Sequence, residues 1–278
     1  MNTVIIANPA SGGYNSKVLD SVKKILESKC NSVKVVLTER AGHATELAAS
    51  AEEDLVIAAG GDGLINEVAQ GIIGSSKFLS VLPFGTANVF CTEYGISLNP
   101  IKAAKNLNLS NRRHITAGYM DNRLFLLMVG FGFDAETVKM IHLTGKKYKF
   151  KKNAHILNGL KVLLKNKFKS FNVFLNGHRL TAYHLIVAVA SSYGGDYKIG
   201  KIHKGKLNIF SVASPKLWSL IKTLLSIFLG KGIKTPAIST DYLKINGALC
   251  CQVDGEFVPL DRSSVFLKVK RNALILIY

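Results

Sequence analysis

The chain reads Ala58-Ala59-Gly60-Gly61-Asp62-Gly63-Leu64-Ile65-Asn66-Glu67-Val68 at the point that decides its fold. The apolar run 55–59 before it predicts a buried strand, and the apolar spacing over 65–72 predicts a helix after it. The glycines allow positive φ and a close approach to a ligand, and the first N–H groups of the helix favour phosphate. A carboxylate beside phosphates implies a metal ion or a proton-transfer role for Asp62. A tight turn capped by Asp62 is the alternative.

Two further glycine turns follow apolar strands. Asn8-Pro9-Ala10-Ser11-Gly12-Gly13 comes after a predicted strand over 4–7, and Leu82-Pro83-Phe84-Gly85-Thr86-Ala87-Asn88 comes after one over 78–82. Each turn alone is also explained as an ordinary loop. In an open parallel sheet, however, the carboxyl ends of the strands form the edge at which ligands bind. The sequence therefore predicts one ligand site built from three turns.

These motifs, in this order and followed by Val253-Asp254-Gly255-Glu256, resemble the diacylglycerol kinase catalytic-domain family. That family includes bacterial lipid kinases and is related to sphingosine kinases, and the resemblance covers nearly the whole chain. It implies an ATP-dependent lipid kinase of phospholipid biosynthesis. Such an enzyme transfers the γ-phosphate to a hydroxyl of a diacylglycerol-like or other long-chain lipid, and Mg²⁺ accompanies ATP.

The resemblance also implies roles for individual residues. Glu256 would take the proton from the lipid hydroxyl, Asp254 would orient Glu256 or the ion, and Asp62 would act in catalysis and reach the ATP magnesium. The residues implied in ATP binding are Asn8, Pro9, Ser11, Gly12, Thr38, Gly60, Gly61, Asp62, Gly63, Glu67, Gly85, Thr86 and Asn88.

Several of these residues have simpler explanations. Thr38 ends a strand, where threonine is common, and Thr86 can cap a helix. Glu67 can hold a loop, reach the cation or stand exposed on its helix. Asp254-Gly255 is also a frequent hairpin turn.

The chain departs from the family pattern at three points. Leu64 replaces a threonine whose hydroxyl can donate to phosphate, so we expect altered nucleotide binding. Val89 replaces an aspartate and bears on lipid preference. His203-Lys204 replaces an acidic pair that helps to hold a structural magnesium ion in some members. Because an ammonium group offers no oxygen ligand, we expect no separate divalent ion at 201–206.

Strands and helices alternate over the first third of the chain, which predicts an α/β domain with an open, mostly parallel sheet and flanking helices. We place this nucleotide-binding domain at 1–116, and the resemblance implies that about 271–278 returns to it. A short helix is expected to begin at Pro100.

Residues 117–270 predict a lipid-substrate domain of antiparallel, β-sandwich-like type with helices. A turn at Asp121-Asn122, a hairpin turn at Asn176-Gly177 and a helix over 154–164 are expected. Gly130-Phe131-Gly132-Phe133-Asp134 predicts a loop, and a helix is expected from Ala135. No linker rich in Pro, Gly or Ser separates the two domains, so we expect close packing with a cleft between them. The predicted strands are 115–120, 123–129, 171–175, 183–190, 206–211, 237–245, 248–253, 265–270 and 274–277.

The charge is strongly basic, with 36 Lys+Arg against 18 Asp+Glu and a net charge of +18. Ten lysines and no acidic residue lie between Lys139 and Lys169. Such a tract predicts attraction to an anionic membrane surface, with a solvated face or RNA binding as alternatives. A helix over 216–229 is a second candidate for the membrane interface, unless it packs on its own domain.

Composition limits the remaining classes. Cys30, Cys91, Cys250 and Cys251 lack metal or disulfide spacing and predict reduced thiols. With no signal region and no apolar run of about 20 residues, we expect a cytoplasmic protein at the inner face of the membrane. No nucleic-acid partner is expected, and a homodimer is left open.

Two other functions are weighed against the lipid kinase. An NAD-kinase-like soluble transferase also uses a GGDG turn, but it does not account for the lysine tract or the other two turns. A non-catalytic lipid- or nucleotide-binding regulator is favoured by the altered positions, Leu64 and Val89.

Overall fold

The structure is a computed structural model of the 278-residue chain, and it describes residues 1–144, 169–194, 197–214, 217–233 and 238–278. These residues form two compact units. The first is built mainly from Met1–Ala117 and Arg271–Tyr278, and the second mainly from Gly118–Tyr193 and Tyr197–Lys270. The assignment of nucleotide binding to one unit and lipid binding to the other stays a prediction.

The first unit contains a parallel sheet with helices. Its strands are β1 (Asn2–Ala7), β2 (Ser32–Leu37), β3 (Leu55–Gly60) and β4 (Phe78–Pro83), in the order β2-β1-β3-β4. Its helices are α1 (Ser16–Glu27), α2 (His43–Ser50), α3 (Asp62–Ile72), α4 (Val89–Tyr94) and α5 (Pro100–Asn106). Ile5 pairs in parallel with both Val35 and Ile57. The predicted α/β alternation is therefore confirmed.

The core of the first unit follows from its apolar pattern. Every residue of β3 is buried, because a central parallel strand is covered on both faces. Helix α1 buries Leu19, Val22 and Leu26. Asn15 caps this helix by accepting the N–H of Val18 at 3.2 Å.

The second unit is reached through β5 (Arg112–Met120), which crosses from the first. Its helices are α6 (Phe133–Thr144) and α7 (Leu217–Phe228). None of the helices in the described residues is long and apolar enough to cross a membrane. The further strands are β6 (Arg123–Phe125), β7 (Met128–Phe131), β8 (Phe171–Leu175), β9 (His178–Ala182), β10 (His184–Ala188), β11 (Ser192–Tyr193), β12 (Tyr197–Lys198), β13 (Leu207–Val212), β14 (Ile238–Thr240), β15 (Tyr242–Asn246), β16 (Cys250–Val253), β17 (Glu256–Pro259) and β18 (Ser264–Ile277).

Two antiparallel layers enclose the core of the second unit. One has the order β14-β13-β10-β7-β16-β17, and the other contains β18-β15-β8-β9. Phe131 and Val187 from the first layer and Val173 and Leu243 from the second belong to one buried cluster. This arrangement confirms the predicted sandwich-like fold class.

The structure corrects three strand predictions. The single strand predicted over 123–129 is wrong, because β6 pairs with β5 while β7 pairs with β10 and β16. The single strand predicted over 237–245 is wrong, because β14 pairs with β13 while β15 pairs with β18 and β8, so the chain changes layer at Asp241. The separate strands predicted over 265–270 and 274–277 are one strand, β18. Its end pairs in parallel with β4, where Ile275 lies opposite Phe78.

Other local predictions agree with the structure or fall outside it. Leu175 pairs with His178 across Asn176-Gly177, which confirms that hairpin turn and adds the unpredicted strand β9. Helix α5 begins at Pro100 as expected. The helix predicted over 154–164 lies outside the described residues.

A buried histidine gives the second unit a testable pH dependence. The pKa of His184 is lowered to about 4 by burial, and its Nδ1 accepts the N–H of Phe133 at 2.9 Å. Between pH 4 and about 6.5 the unfolded chain binds this proton and the folded chain does not, so stability rises with pH. We expect urea titrations to show that His184 raises the free energy of unfolding by about 2–3 kcal/mol between pH 4 and about 6.5.

The matched variant is His184→Gln, which keeps an acceptor for the N–H but cannot titrate. It should flatten the rise in unfolding free energy. Burial raises the pKa of Asp134, which gives a dependence of the opposite sign. Both proteins contain Asp134, so their difference isolates His184. An equal pH slope in both would contradict the prediction.

Candidate functional site

Hydrogen bonds join the three glycine turns of the first unit. The N–H of Gly13, after β1, donates to the carbonyl of Phe84, after β4, at 2.9 Å. The N–H of Phe84 in turn donates to the carbonyl of Gly60 at the end of β3 at 3.1 Å. The carboxyl ends of β1, β3 and β4 thus meet at one edge, as the parallel sheet requires.

The glycines allow these turns to approach more closely than other residues could. A Cβ atom on Gly12 would lie 2.9 Å from Oγ1 of Thr86, and one on Gly85 would overlap Cα of Gly61. Backbone N–H groups and small side chains therefore line this edge, a chemistry that suits phosphate. The structure brings together the predicted residues of all three turns.

The first turn is shaped by its own asparagine. Oδ1 of Asn8 accepts the N–H of Ala10 at 2.8 Å, and its carbonyl accepts the N–H of Ser11 at 3.1 Å. This local turn leaves Pro9 and Gly12 exposed beside Ser11. A side-chain acceptor of this kind fixes a loop without bulky residues.

Asp62 links the second turn to the third. Its Oδ2 accepts the N–H of Val89 at 3.0 Å, and its Oδ1 accepts the N–H of Phe90 at 2.9 Å. Burial raises the pKa of Asp62, while these two hydrogen bonds act in the opposite direction. Asp62 begins its own helix, α3, but its carboxylate holds the first N–H groups of α4.

Leu64 and Val89, the two departures beside these turns, are both buried. A Cβ atom on Gly60 would overlap the Leu64 side chain. The Leu64 side chain therefore packs directly against the backbone of Gly60. This packing supports the turn without donating a hydrogen bond to a ligand.

Asn88 fixes the third turn. It takes a left-handed conformation with φ 48°, and its side chain bonds both the N–H and the carbonyl of Gly85 at 3.0 Å. Thr86, between them, stays exposed. The turn is thus held from one side while its tip is open.

Glu67 holds a loop, one of the roles considered for it. Its carboxylate accepts the N–H groups of Gly42 at 3.0 Å and of Ala44 at 3.3 Å, and its carbonyl accepts Oγ1 of Thr45 at 3.0 Å. These contacts fix the start of α2. The loop before α2 begins at buried Thr38, whose N–H donates to the carbonyl of Ala7 at 2.9 Å.

In the second unit, Asp254 anchors a two-residue hairpin turn. Asp254 and Gly255 have φ of 47° and 89°, which is typical of a type I′ turn. The Asp254 carboxylate accepts the N–H groups of Leu126 at 2.7 Å and of Leu127 and Met128 at 2.9 Å. Three backbone hydrogen bonds make Asp254 a rigid support for this turn.

Glu256 follows the turn and is exposed to solvent. Its carboxylate lies 2.5 Å from Nη2 of Arg123, an exposed ion pair between β17 and β6. The sequence does not reveal Arg123 as the partner of Glu256, because 133 positions separate the two residues. No local pattern could have joined them.

A buried polar network lies behind the hairpin. Oδ1 of Asp134 accepts the Tyr193 hydroxyl at 2.6 Å, and its Oδ2 accepts Nε2 of Gln252 at 2.7 Å. Oε1 of Gln252 accepts the N–H of Gly255 at 2.7 Å. Burial raises the pKa of Asp134 and, together with the Asp134 carboxylate, raises that of Tyr193 well above its usual range. Gln252 thus connects a buried carboxyl group to the turn before Glu256.

A comparison with family models identifies the first part of the chain. The model described as the diacylglycerol kinase catalytic domain matches residues 2–120. The match covers all three glycine turns of the first unit. The resemblance inferred from the glycine turns is therefore confirmed.

Individual relatives extend the comparison. The diacylglycerol kinase of Bacillus subtilis (strain 168) is 38% identical over 135 residues, covering 46% of this chain and 45% of that protein. A Streptococcus pneumoniae serotype 4 protein with the provisional name of lipid kinase is 27% identical over 252 residues, covering 87% of this chain and 84% of that protein. The chain thus spans less than half of the Bacillus subtilis relative.

A solved structure supports the fold as a whole. The crystal structure of a diacylglycerol kinase from Bacillus anthracis str. Sterne has a TM-score of 0.78 to this protein, covering 100% of this chain and 96% of that chain. The identity is 20%, so the likeness shows the fold alone.

The motifs quoted from the sequence do not include the residues of the network around Asp134. The only sequence signal was Gly130-Phe131-Gly132-Phe133-Asp134, which was interpreted as a loop with a helix beginning at Ala135. The helix begins at Phe133 instead. A Cβ atom on Gly130 would overlap Oδ2 of Asp134, so this glycine makes room for the carboxyl group.

The network predicts a stability effect. Gln252→Leu removes the hydrogen-bond partner of Oδ2 of Asp134 and of the N–H of Gly255. We expect the unfolding free energy to fall by about 2–4 kcal/mol, because each unsatisfied buried group costs about 1–3 kcal/mol. Denaturant titration measures this loss. Gln70→Leu, at an exposed position of α3, is the control, and an equally small effect in both variants would contradict the role of Gln252.

Proposed function

We propose that this protein is an ATP-dependent lipid kinase that phosphorylates a hydroxyl of a diacylglycerol-like or other long-chain lipid. The observation that carries the proposal is the meeting of three glycine turns at one edge of the parallel sheet, within the region that matches the family. Any larger residue at these glycine positions would fill this edge with its side chain. Glycine therefore leaves room for phosphate groups at the backbone. The names of the relatives support a lipid as the acceptor.

The first unit would hold ATP. The N–H groups of the three turns would contact its phosphates, and Thr38 and Glu67 would shape the neighbouring loop. Mg²⁺ bound with ATP would neutralise charge that develops during transfer. Asp62 uses one acceptor site on each oxygen for α4, and its remaining lone pairs could face the ion. The proposed ATP residues are Asn8, Pro9, Ser11, Gly12, Thr38, Gly60, Gly61, Asp62, Gly63, Glu67, Gly85, Thr86 and Asn88.

The second unit would supply the base. Glu256 would accept the proton of the lipid hydroxyl while that oxygen forms a bond to the γ-phosphorus and the bond to ADP breaks. Arg123 holds the Glu256 carboxylate, and Asp254 fixes the turn before it. Solvent exposure leaves Glu256 accessible to a substrate.

The lipid acceptor places the proposed reaction at a membrane. We include peripheral association with the anionic inner face and a role in phospholipid biosynthesis in the proposal. The excess of lysine supports it, because cationic side chains are attracted to anionic lipids. Most of the lysine-rich tract, over 145–168, lies outside the described residues.

Transfer of labelled phosphate from ATP tests the function. Purified protein with Mg²⁺ should label diacylglycerol or another component of a total lipid extract. It should leave NAD unlabelled. Labelling of NAD alone would indicate the soluble transferase. ATP binding without transfer to any lipid would indicate a regulator.

A further inference from the structure

Helix α7 has apolar side chains on two opposite sides. Leu220 and Ile227 are buried, with exposed fractions of 4% and 1%, and Leu220 packs with Phe133 of α6. At 3.6 residues per turn these two positions share one face. Through that face α7 packs on the second unit. On this side of the helix, the alternative that it packs on its own domain is therefore confirmed.

The opposite side is apolar and faces solvent. Trp218, Leu225 and Leu229 have exposed fractions of 66%, 53% and 67%, and exposed Lys222 lies among them. Their spacing of 4, 3 and 4 positions places all four on one side of the helix. We call these four residues the outer face.

The sequence on either side of α7 is basic. Between Asp196 and Asp241 the sequence contains eight lysines and no acidic residue. Helix α6, which packs on α7 through Met140 and Phe133, leads directly into the lysine-rich tract. An exposed apolar patch that contains a lysine and belongs to a basic stretch of the chain fits a surface that is apolar inside and anionic outside.

We propose that the outer face of α7 docks on an anionic lipid bilayer and lies in its interface. The inference rests on the proposed function in that the lipid acceptor would be drawn from the same bilayer. Tryptophan prefers the boundary between headgroups and acyl chains, and lysine can extend from there to the phosphates. A second copy of the chain fits less well, because a symmetric contact would set Lys222 near its equivalent.

The chain contains a single tryptophan, which makes the test direct. Vesicles of phosphatidylglycerol should shift the emission of Trp218 to shorter wavelength, and brominated acyl chains should quench it. Phosphatidylcholine vesicles should bind more weakly, and salt should reduce binding to the anionic ones. Vesicle binding without any change in Trp218 emission would overturn the proposal.

A matched pair of variants isolates the outer face while it keeps the tryptophan. Leu225→Gln with Leu229→Gln should weaken binding to anionic vesicles by about tenfold or more, since burying one leucine contributes about 1.5–3 kcal/mol. The control is Leu98→Gln with Leu249→Gln, which changes leucines that are 52% and 64% exposed elsewhere. An equal loss in both pairs would overturn the role of the outer face.

Two further measurements separate this inference from its alternatives. Sedimentation without vesicles detects a dimer, and a dimer that the α7 variants dissociate would assign the outer face to a second copy. Transfer of phosphate to short-chain diacylglycerol in detergent needs no bilayer. Activity in that assay without vesicle binding would reject the docking surface and leave the kinase in place.

Discussion

Replacing Glu256 with glutamine is expected to lower the turnover of lipid phosphorylation by about 10²- to 10⁴-fold, the contribution of a general base. Glutamine keeps the size of the side chain but cannot take the proton from a hydroxyl group. The variant should stay folded, because the Glu256 and Arg123 side chains are 54% and 42% exposed. An exposed ion pair of this kind contributes only about 0–1 kcal/mol.

The measurement is the initial rate of phosphate transfer to diacylglycerol in detergent, with ATP varied. The KM for ATP should change little, because the proposed ATP residues all belong to the first unit. Glu52→Gln replaces an exposed glutamate of that unit and is the matched control. Turnover near the wild-type value in Glu256→Gln would show that another group takes the proton.

Arg123→Met complements that variant. It removes the partner of Glu256 and leaves the carboxylate itself. If Arg123 only positions Glu256, turnover should fall less than it does in Glu256→Gln. An equal fall would indicate that Arg123 contacts a reacting group directly.

The first unit could be predicted because its signals are local. A buried central strand needs an unbroken apolar run such as 55–59, and a tight strand-to-helix turn needs glycine. Both requirements are met within about ten neighbouring residues of a single βα unit. The parallel sheet then brings the turns together without any long-range information, since all carboxyl ends lie at the same edge.

The second unit was harder because its contacts join distant segments. Arg123 meets Glu256, and Asp134 meets both Tyr193 and Gln252, through antiparallel pairing whose register is absent from the local pattern. The change of layer at Asp241 falls inside the run 237–245, which the sequence predicts as one strand. Local periodicity carries no information on which layer a strand enters.

The double-sided character of α7 shows a related limit. Its sequence predicts both a core helix and an interfacial helix, because apolar residues occur nearly all around it. The burial of its side chains shows that each prediction describes one face of the helix. Leu220 and Ile227 are buried in the core, while Trp218 and Leu225 are exposed. Only packing against α6 shows which face is used by the fold.

Replacing Asp62 with alanine is expected to lower stability and to abolish ATP binding together. The change leaves the N–H groups of Val89 and Phe90 without their acceptor, and both residues are buried. Two unsatisfied donors should cost about 2–4 kcal/mol of unfolding free energy. Because Asp62 joins the second turn to the third, the phosphate-binding edge should open as well.

Asp62→Asn separates the two roles of this side chain. Its carbonyl oxygen can accept one of the two N–H groups, so the loss of stability should be about half that of Asp62→Ala. Turnover should remain low in Asp62→Asn, because a neutral amide is a poor ligand for Mg²⁺ and cannot replace the charge. Thermal unfolding, ATP titration and phosphate transfer, each measured on both variants, give the comparison. If Asp62→Asn regains turnover in proportion to its stability, Asp62 acts only as a support for α4, and its proposed part in catalysis is wrong.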